Sequence, residues 1–187
     1  KLALSANVNH DSKILTNRNI LKRAKAIMPY LLYDNDPYMV VNEDGRLIWV
    51  LDAYTTSDNY PYSQKTLLQL DAINKLEFNY IRNSVKVLID AYDGTINFYI
   101  TDRNDPIASA YEKIYPDLFT TEEISTDISG QFVYPKFLYD IQTLKMERYH
   151  NIQSDVLYRG NDVWDVATHN TSRVSTKTGT DIEAYYT

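Results

Sequence analysis

Two Asp-Ala-Tyr triplets, Asp52–Tyr54 and Asp90–Tyr92, carry the residues of this chain best suited to chemistry. Each sits in an apolar run that reads as a β-strand, with its alanine on the apolar side, so the aspartate and tyrosine point the other way. With both strands in one sheet, Asp52, Tyr54, Asp90, Tyr92, Asn97 and Tyr99 share a polar face. Two carboxylates there could serve as acid and base in glycoside chemistry, beside aromatic rings that stack on sugars. The same residues also make an ordinary solvated sheet face, because tyrosine and threonine are good strand formers. Arg82, in Arg82-Asn83 ahead of the second triplet, reads as a structural cation with Asp52 or Asp90 as partner, or else as a ligand contact; in one sheet the two aspartates are expected close enough to share a cation, Arg82 or Arg46.

Metal chemistry finds less support. Asp34-Asn35-Asp36 and Asp102–Asp105 cluster oxygen ligands but lack the glycine and glutamate of an EF-hand loop, and Asx residues before proline are ordinary turn and cap chemistry. His10, His150 and His169 show no metal-ligand spacing, and no phosphate loop, dinucleotide fingerprint or nucleophile elbow is present. No metal or cofactor is predicted.

The elements that must position these residues are legible in part. Val85 to Ile100 reads as a hairpin about a two-residue type I′ turn at Asp93-Gly94, pairing Tyr92 with Thr95 and Ala91 with Ile96. Its apolar face is Val85, Val87, Ile89, Ala91, Ile96, Phe98 and Ile100. An earlier hairpin joins Tyr38–Val41 to Arg46–Tyr54, with Leu47, Trp49, Leu51 and Ala53 on the apolar face. Leu2–Val8 reads as a short strand. Ile20, Leu21, Ala24, Ile27 and Met28 recur at helical spacing, with Thr16 or Asn17 as N-cap and Pro29 as terminator. Tyr33–Pro37 reads as a loop, as does Thr55–Ser63, and Gln64–Ile73 as a short helix. Further helices are predicted from Asp105-Pro106, from Thr120–Glu123, from Pro135, and over Asp155–Tyr158. The class is α+β: an antiparallel sheet of two hairpins with helices on its apolar face. Residues 1–167 are predicted as one domain; 168–187 form a polar loop or tail, with Ile182–Tyr186 as a possible terminal strand.

A net charge of −6 argues against a nucleic-acid phosphate binder and against docking on anionic lipid. The absence of cysteine excludes disulfides, thiolate zinc sites and cysteine nucleophiles. No apolar run is long enough to span a bilayer and no signal peptide is evident, so this segment should not insert directly into a membrane. Lys1 is not a natural start, which suggests a piece of a longer protein. The 17 tyrosines, with abundant Asn, Ile and Lys, are a composition that an AT-rich genome also produces.

Several runs carry a resemblance. They include Tyr33–Tyr38, Asp44-Gly45-Arg46, Asp52–Asp58, Tyr60–Ser63, Asn79–Lys86 and Asp90–Thr95. Asp105–Ile107, Tyr134-Pro135, Arg148–His150 and Trp164–Val166 belong with them, and Glu183–Tyr186 fits loosely. In these the chain resembles the region following the membrane spans in a large bacterial membrane-protein family, known only as uncharacterised protein family 0182. The resemblance implies a multi-spanning parent and a place on the extracytoplasmic face of the cell membrane. It implies no reaction and no catalytic residues. The resulting expectation is a non-enzymatic interaction domain whose partners are the rest of its parent protein or envelope polysaccharide. The alternative is a glycan-acting enzyme or glycan-binding module using Asp52 and Asp90.

Overall fold

A computed structural model describes residues 9, 12, 17–69, 75–169, 180 and 181. The predicted strand at Leu2–Val8 and the terminal one at Ile182–Tyr186 lie outside them. The chain divides into two compact units, 1–132 and 133–187, and the domain expected over 1–167 spans both.

The first unit is an α+β fold around a five-stranded antiparallel sheet, as the two hairpins predict. Its strands are β1 (Leu32–Tyr33), β2 (Tyr38–Val41), β3 (Leu47–Ser57), β6 (Tyr80–Asp90) and β7 (Ile96–Ile100). A separate pair, β4 (Thr66–Gln69) and β5 (Lys75–Phe78), is inserted between β3 and β6. Over the described residues 64–69 this pair replaces the helix expected over Gln64–Ile73, the remainder of which lies outside them: Thr66 faces Phe78 and Leu67 faces Glu77 across an antiparallel ladder. The β-branched Thr66 and the pairing to Lys75–Phe78 outweigh the weak helical propensity of the run. Likewise, the start of the expected Tyr33–Pro37 loop is drawn into β1, which pairs with Ala53 and Tyr54.

β3 and β6 form the spine, both eleven residues long. On one face Leu51, Ala53, Val85, Val87, Ile89 and Phe98 pack with Ala24 of α1 (Ile20–Ile27) and Met28 at its C-cap, with Tyr111 of α2 (Pro106–Ile114), and with Phe119. Each fully buried valine, leucine, isoleucine, phenylalanine or methionine among them contributes about 1.5–3 kcal/mol. The N-cap of α1 is Asn19, not Thr16 or Asn17; its side chain accepts the Lys22 N–H. The far end of α1 is held by the Tyr33 hydroxyl, which donates to the Met28 carbonyl at 2.6 Å. Asp105 caps α2 and Pro106 opens it, as expected.

The opposite face is not solvated, which corrects the expectation of one buried and one polar side. Val40, Val50 and Leu88 form a second core there, packed with Ile48 and Tyr99 and covered by Ile124, Ile128 and Phe132. Ile128 belongs to α3 (Thr126–Ser129), which starts after Ser125 rather than at Thr120. Ile48, Val50 and Leu88 are what this cover buries, and each is apolar at a position that alternation assigns to the polar face.

The turn between β6 and β7 also differs. Ile89 pairs with Ile96 and Val87 with Phe98, so the connection is longer than a two-residue I′ turn. Asp90 supplies the reason: its carboxylate accepts the N–H groups of Tyr92 and Asp93, which winds the chain into a helical turn. Only Gly94 has positive φ there, +73°. The predicted faces survive because the register moved by two residues, a whole pleat repeat. Gly94 is buried and its carbonyl accepts from Arg23 of α1. Gly94→Val is therefore expected to cost about 2–3 kcal/mol, since a β-branched residue is strained at that φ. An unchanged midpoint in urea unfolding would contradict the assigned turn.

The second unit contains α4 (Lys136–Tyr149), α5 (Ser154–Arg159) and a short ladder of β8 (Thr168–His169) with β9 (Thr180–Asp181). Pro135 sits at the N-cap of α4 as its position predicts, and Gly160 ends α5 in the left-handed conformation.

Candidate functional site

The polar residues of the sheet are organised by a β-bulge. Ala53 pairs with Val85 but Thr55 pairs with Arg82, so Asn83 and Ser84 together oppose Tyr54. Such a bulge re-aims side chains. Asn83 is turned onto Asp52 and donates to its Oδ1 at 2.7 Å. Asp52 also forms an ion pair with Lys86, directly across the ladder. Both charged side chains are buried, and the Lys86 Nζ lies 5.1 Å from the centroid of the Phe132 ring. Tyr99 of β7 pairs with Lys86 from its other side, so Asp52, Lys86 and Tyr99 form one row across three strands. Burial pushes the Tyr99 hydroxyl pKa up.

Asp90 lies on the same face, paired with Ile48, but not near Asp52. Four ladder positions separate them, ~13 Å at about 3.3 Å per residue. Glycosidase carboxylates stand about 5–9.5 Å apart. The two aspartates share no cation either, contrary to expectation. Arg46 bonds Asp90 through Nε and Nη2, at 2.9 and 2.6 Å, and its guanidinium carbon lies 5.0 Å from the centroid of the exposed Tyr92 ring. Desolvation pushes the Asp90 carboxyl up, but Arg46 and the Tyr92 and Asp93 N–H groups outweigh it and hold its pKa below the ordinary value. Arg82 pairs with neither aspartate; it bonds Asp102 at 3.0 Å. Tyr54 is fully buried and donates to Asp34 at 2.6 Å, and Asn97 is half-buried opposite Leu88.

Among the described residues the most deeply buried carboxylate is one whose sequence position marks only a helix cap. Asp105, wholly buried, accepts from the hydroxyls of Thr55 and Tyr80 and from the Ile107 N–H. The Ser84 hydroxyl stands beside it, outside strict hydrogen-bond geometry. Burial pushes the Asp105 carboxyl up, yet these donors prevail and its pKa is lowered. Burial and the bond to Asp105 raise the Tyr80 hydroxyl to about 12. The signal that could have found this hub is Asn83-Ser84, two poor strand formers inside a β run, which marks the bulge that gathers it.

These lowered values set a pH dependence. A carboxylate with a depressed folded pKa stabilises fully above the unfolded value of about 3.9 and loses that contribution as pH falls through the folded value. Asp105 and Asp90 both have that sign. The melting midpoint is expected to hold between about pH 7 and 5 and to fall below about pH 4. A midpoint that rises between pH 5 and 3 would contradict this assignment.

Within the second unit, His150 stacks on Trp164 with centroids 3.9 Å apart. Its Nδ1 lies 2.9 Å from the Met146 carbonyl and its Nε2 3.6 Å from Asp162. The Trp164 N–H donates to the Glu147 carbonyl, tying this loop to the end of α4. Sequence spacing gave no sign of the pairing. Among the described residues, no group of three histidine or acidic side chains could hold a metal. The Asp34 loop is indeed turn chemistry, with Oδ1 accepting the Asp36 N–H.

Fold and site together define, in the first unit, an antiparallel α+β domain whose buried carboxylates are each held by an ion pair or by hydrogen bonds within the structure. The chain belongs to the uncharacterised protein family UPF0182, whose family model matches residues 1–187. It is 47% identical over 171 residues to a UPF0182 protein of Caldicellulosiruptor saccharolyticus, covering 91% of this chain and 18% of that relative. It is 50% identical over 168 residues to one of Clostridium novyi, covering 89% and 17%. A Clostridium acetobutylicum relative is 46% identical over 184 residues, covering 98% and 19%. The chain thus spans less than a fifth of these bacterial relatives. No solved structure matches it.

Proposed function

We propose that this chain is a non-enzymatic interaction domain on the extracytoplasmic face of a bacterial multi-pass membrane protein. The observation that carries the reading is the closed polar face. Asp52 is buried against Lys86, while Asp90 is neutralised by Arg46 some four ladder positions away. That arrangement disfavours the alternative of a glycan enzyme or glycan-binding module using both aspartates. The work of the domain then falls to its outer surface, where aromatic side chains are exposed, among them Tyr30 and Tyr62. Among the described residues no helix is long and apolar enough to cross a membrane, so in this reading the spans belong to the rest of the parent.

The membrane placement is testable by labelling. This chain has no cysteine, and Ile152 is 97% exposed. In a full-length parent with any other cysteines replaced, Ile152→Cys should react with a membrane-impermeant maleimide on intact cells. Reaction only after lysis would place the domain in the cytoplasm and overturn the proposal.

A further inference from the structure

The connection from β3 to β4 has the anatomy of a docking loop. Asn79 clamps it from below. Its side chain accepts the Tyr60 N–H at 2.9 Å and donates to the Tyr60 and Ser63 carbonyls at 2.8 and 3.2 Å. The Ser63 hydroxyl donates back to the Asn79 carbonyl at 3.1 Å. The Tyr60 ring stacks on Tyr80, with centroids 5.6 Å apart. From this fixed base Tyr62 projects with φ +61° and 108% exposure. A tyrosine in the left-handed region is strained by about 1–2 kcal/mol. Here the clamp holds that strain and delivers the ring wholly to solvent.

Two more large side chains, one in this connection and one in the strand it leads into, are also exposed. Tyr60 is 54% exposed and Leu67, on β4, 61%. Lys65 lies 3.5 Å from Asp58 and 3.3 Å from Glu77, which leaves little unmatched charge beside them. Rigid, preorganised tyrosines of this kind are typical anchors of interfaces, because little side-chain entropy is lost on docking.

We infer that the Tyr60–Ser63 loop docks this domain onto another part of its own longer polypeptide, with Tyr62 as the anchor; this rests on the interaction-domain reading above. The occupant is argued from size and tethering. Tyr60, Tyr62 and Leu67 offer on the order of 400–500 Å², short of the ~800 Å² per partner usual for a stable complex of free molecules. A tethered partner needs less, because a linker supplies an effective concentration that reaches the millimolar range. The relatives carry more than four-fifths of their length outside the matched region, so a tethered partner is at hand. The complementary surface is an apolar cleft with a hydrogen-bonding group for the Tyr62 hydroxyl.

The test uses the full-length protein in cells, with the photo-crosslinker p-benzoylphenylalanine placed at Tyr62 and, as a control, at exposed Tyr92. Irradiation is expected to join position 62, at least fivefold more than position 92, to a peptide of the same chain outside this segment, without forming a dimer. Cross-linking to a second copy, to polysaccharide or to another protein would overturn the inference, as would equal or absent cross-linking at the two positions. The readout does not depend on which side of the membrane the domain lies. Failure here is therefore distinct from failure of the labelling test, and detectable glycan hydrolysis would refute the interaction reading separately.

Discussion

Asp105→Ala is expected to destabilise the first unit by about 3–5 kcal/mol, the sum of a lost cap and stranded hydroxyls. The cap of α2 accounts for about 1 kcal/mol of this. The larger part comes from Thr55 and Tyr80, whose hydroxyls converge on the carboxylate. Each buried donor left without a partner costs about 1–3 kcal/mol. Thr55 is buried, whereas Tyr80 is half-buried and costs at the low end of that range. Asp105→Asn should be milder, about 1–2 kcal/mol, because its amide oxygen still accepts the Ile107 N–H. Equilibrium urea unfolding followed by tyrosine fluorescence measures both. Equal, small losses below about 1 kcal/mol for the two variants would mean that the hub contributes only a cap.

The second large effect is at the buried ion pair. Asp52→Leu leaves the Lys86 ammonium buried beneath Phe132 with no carboxylate, and Lys86→Met leaves the Asp52 anion with Asn83 alone. Each is expected to cost about 3–5 kcal/mol, because an uncompensated buried charge is expensive. The double variant should recover to within about 1 kcal/mol of the parent, since an apolar pair in the same space removes both desolvation penalties. The discriminating quantity is the coupling in this cycle. Penalties that simply add would show that the two charges do not depend on each other.

Where local pattern and tertiary contact agree, the sequence is readable. The Asp105-Pro106 start of α2, the Tyr38–Val41 strand and the apolar face of Val85, Val87 and Ile89 all follow from short-range rules. Three features depend on pairing or packing partners that the periodicity of a single segment does not reveal. Thr66–Gln69 is a strand because it finds Lys75–Phe78. The polar face is closed because Ile124, Ile128 and Phe132 return over Val50 and Leu88. Asp52 and Asp90 are separated because the β3–β6 register places them four pairs apart, and periodicity fixes a face but not a register. Their placement on one face is legible from alternation, and Arg46 is a candidate cation by its place in the first hairpin, but nothing local marks Lys86 as the partner of Asp52. The bulge at Asn83-Ser84, which builds the site, left only a gap in the β-branched run as its trace.

The most direct test of the central claim, that these carboxylates hold the fold and do no glycan chemistry, is one comparison. Binding and hydrolysis of purified cell-envelope polysaccharide would be measured for the parent chain and for the Asp52→Asn, Asp90→Asn double variant, each checked for its melting midpoint. The account predicts a lowered midpoint in the double variant and no change in either glycan readout. An unchanged midpoint with binding or hydrolysis abolished would contradict it.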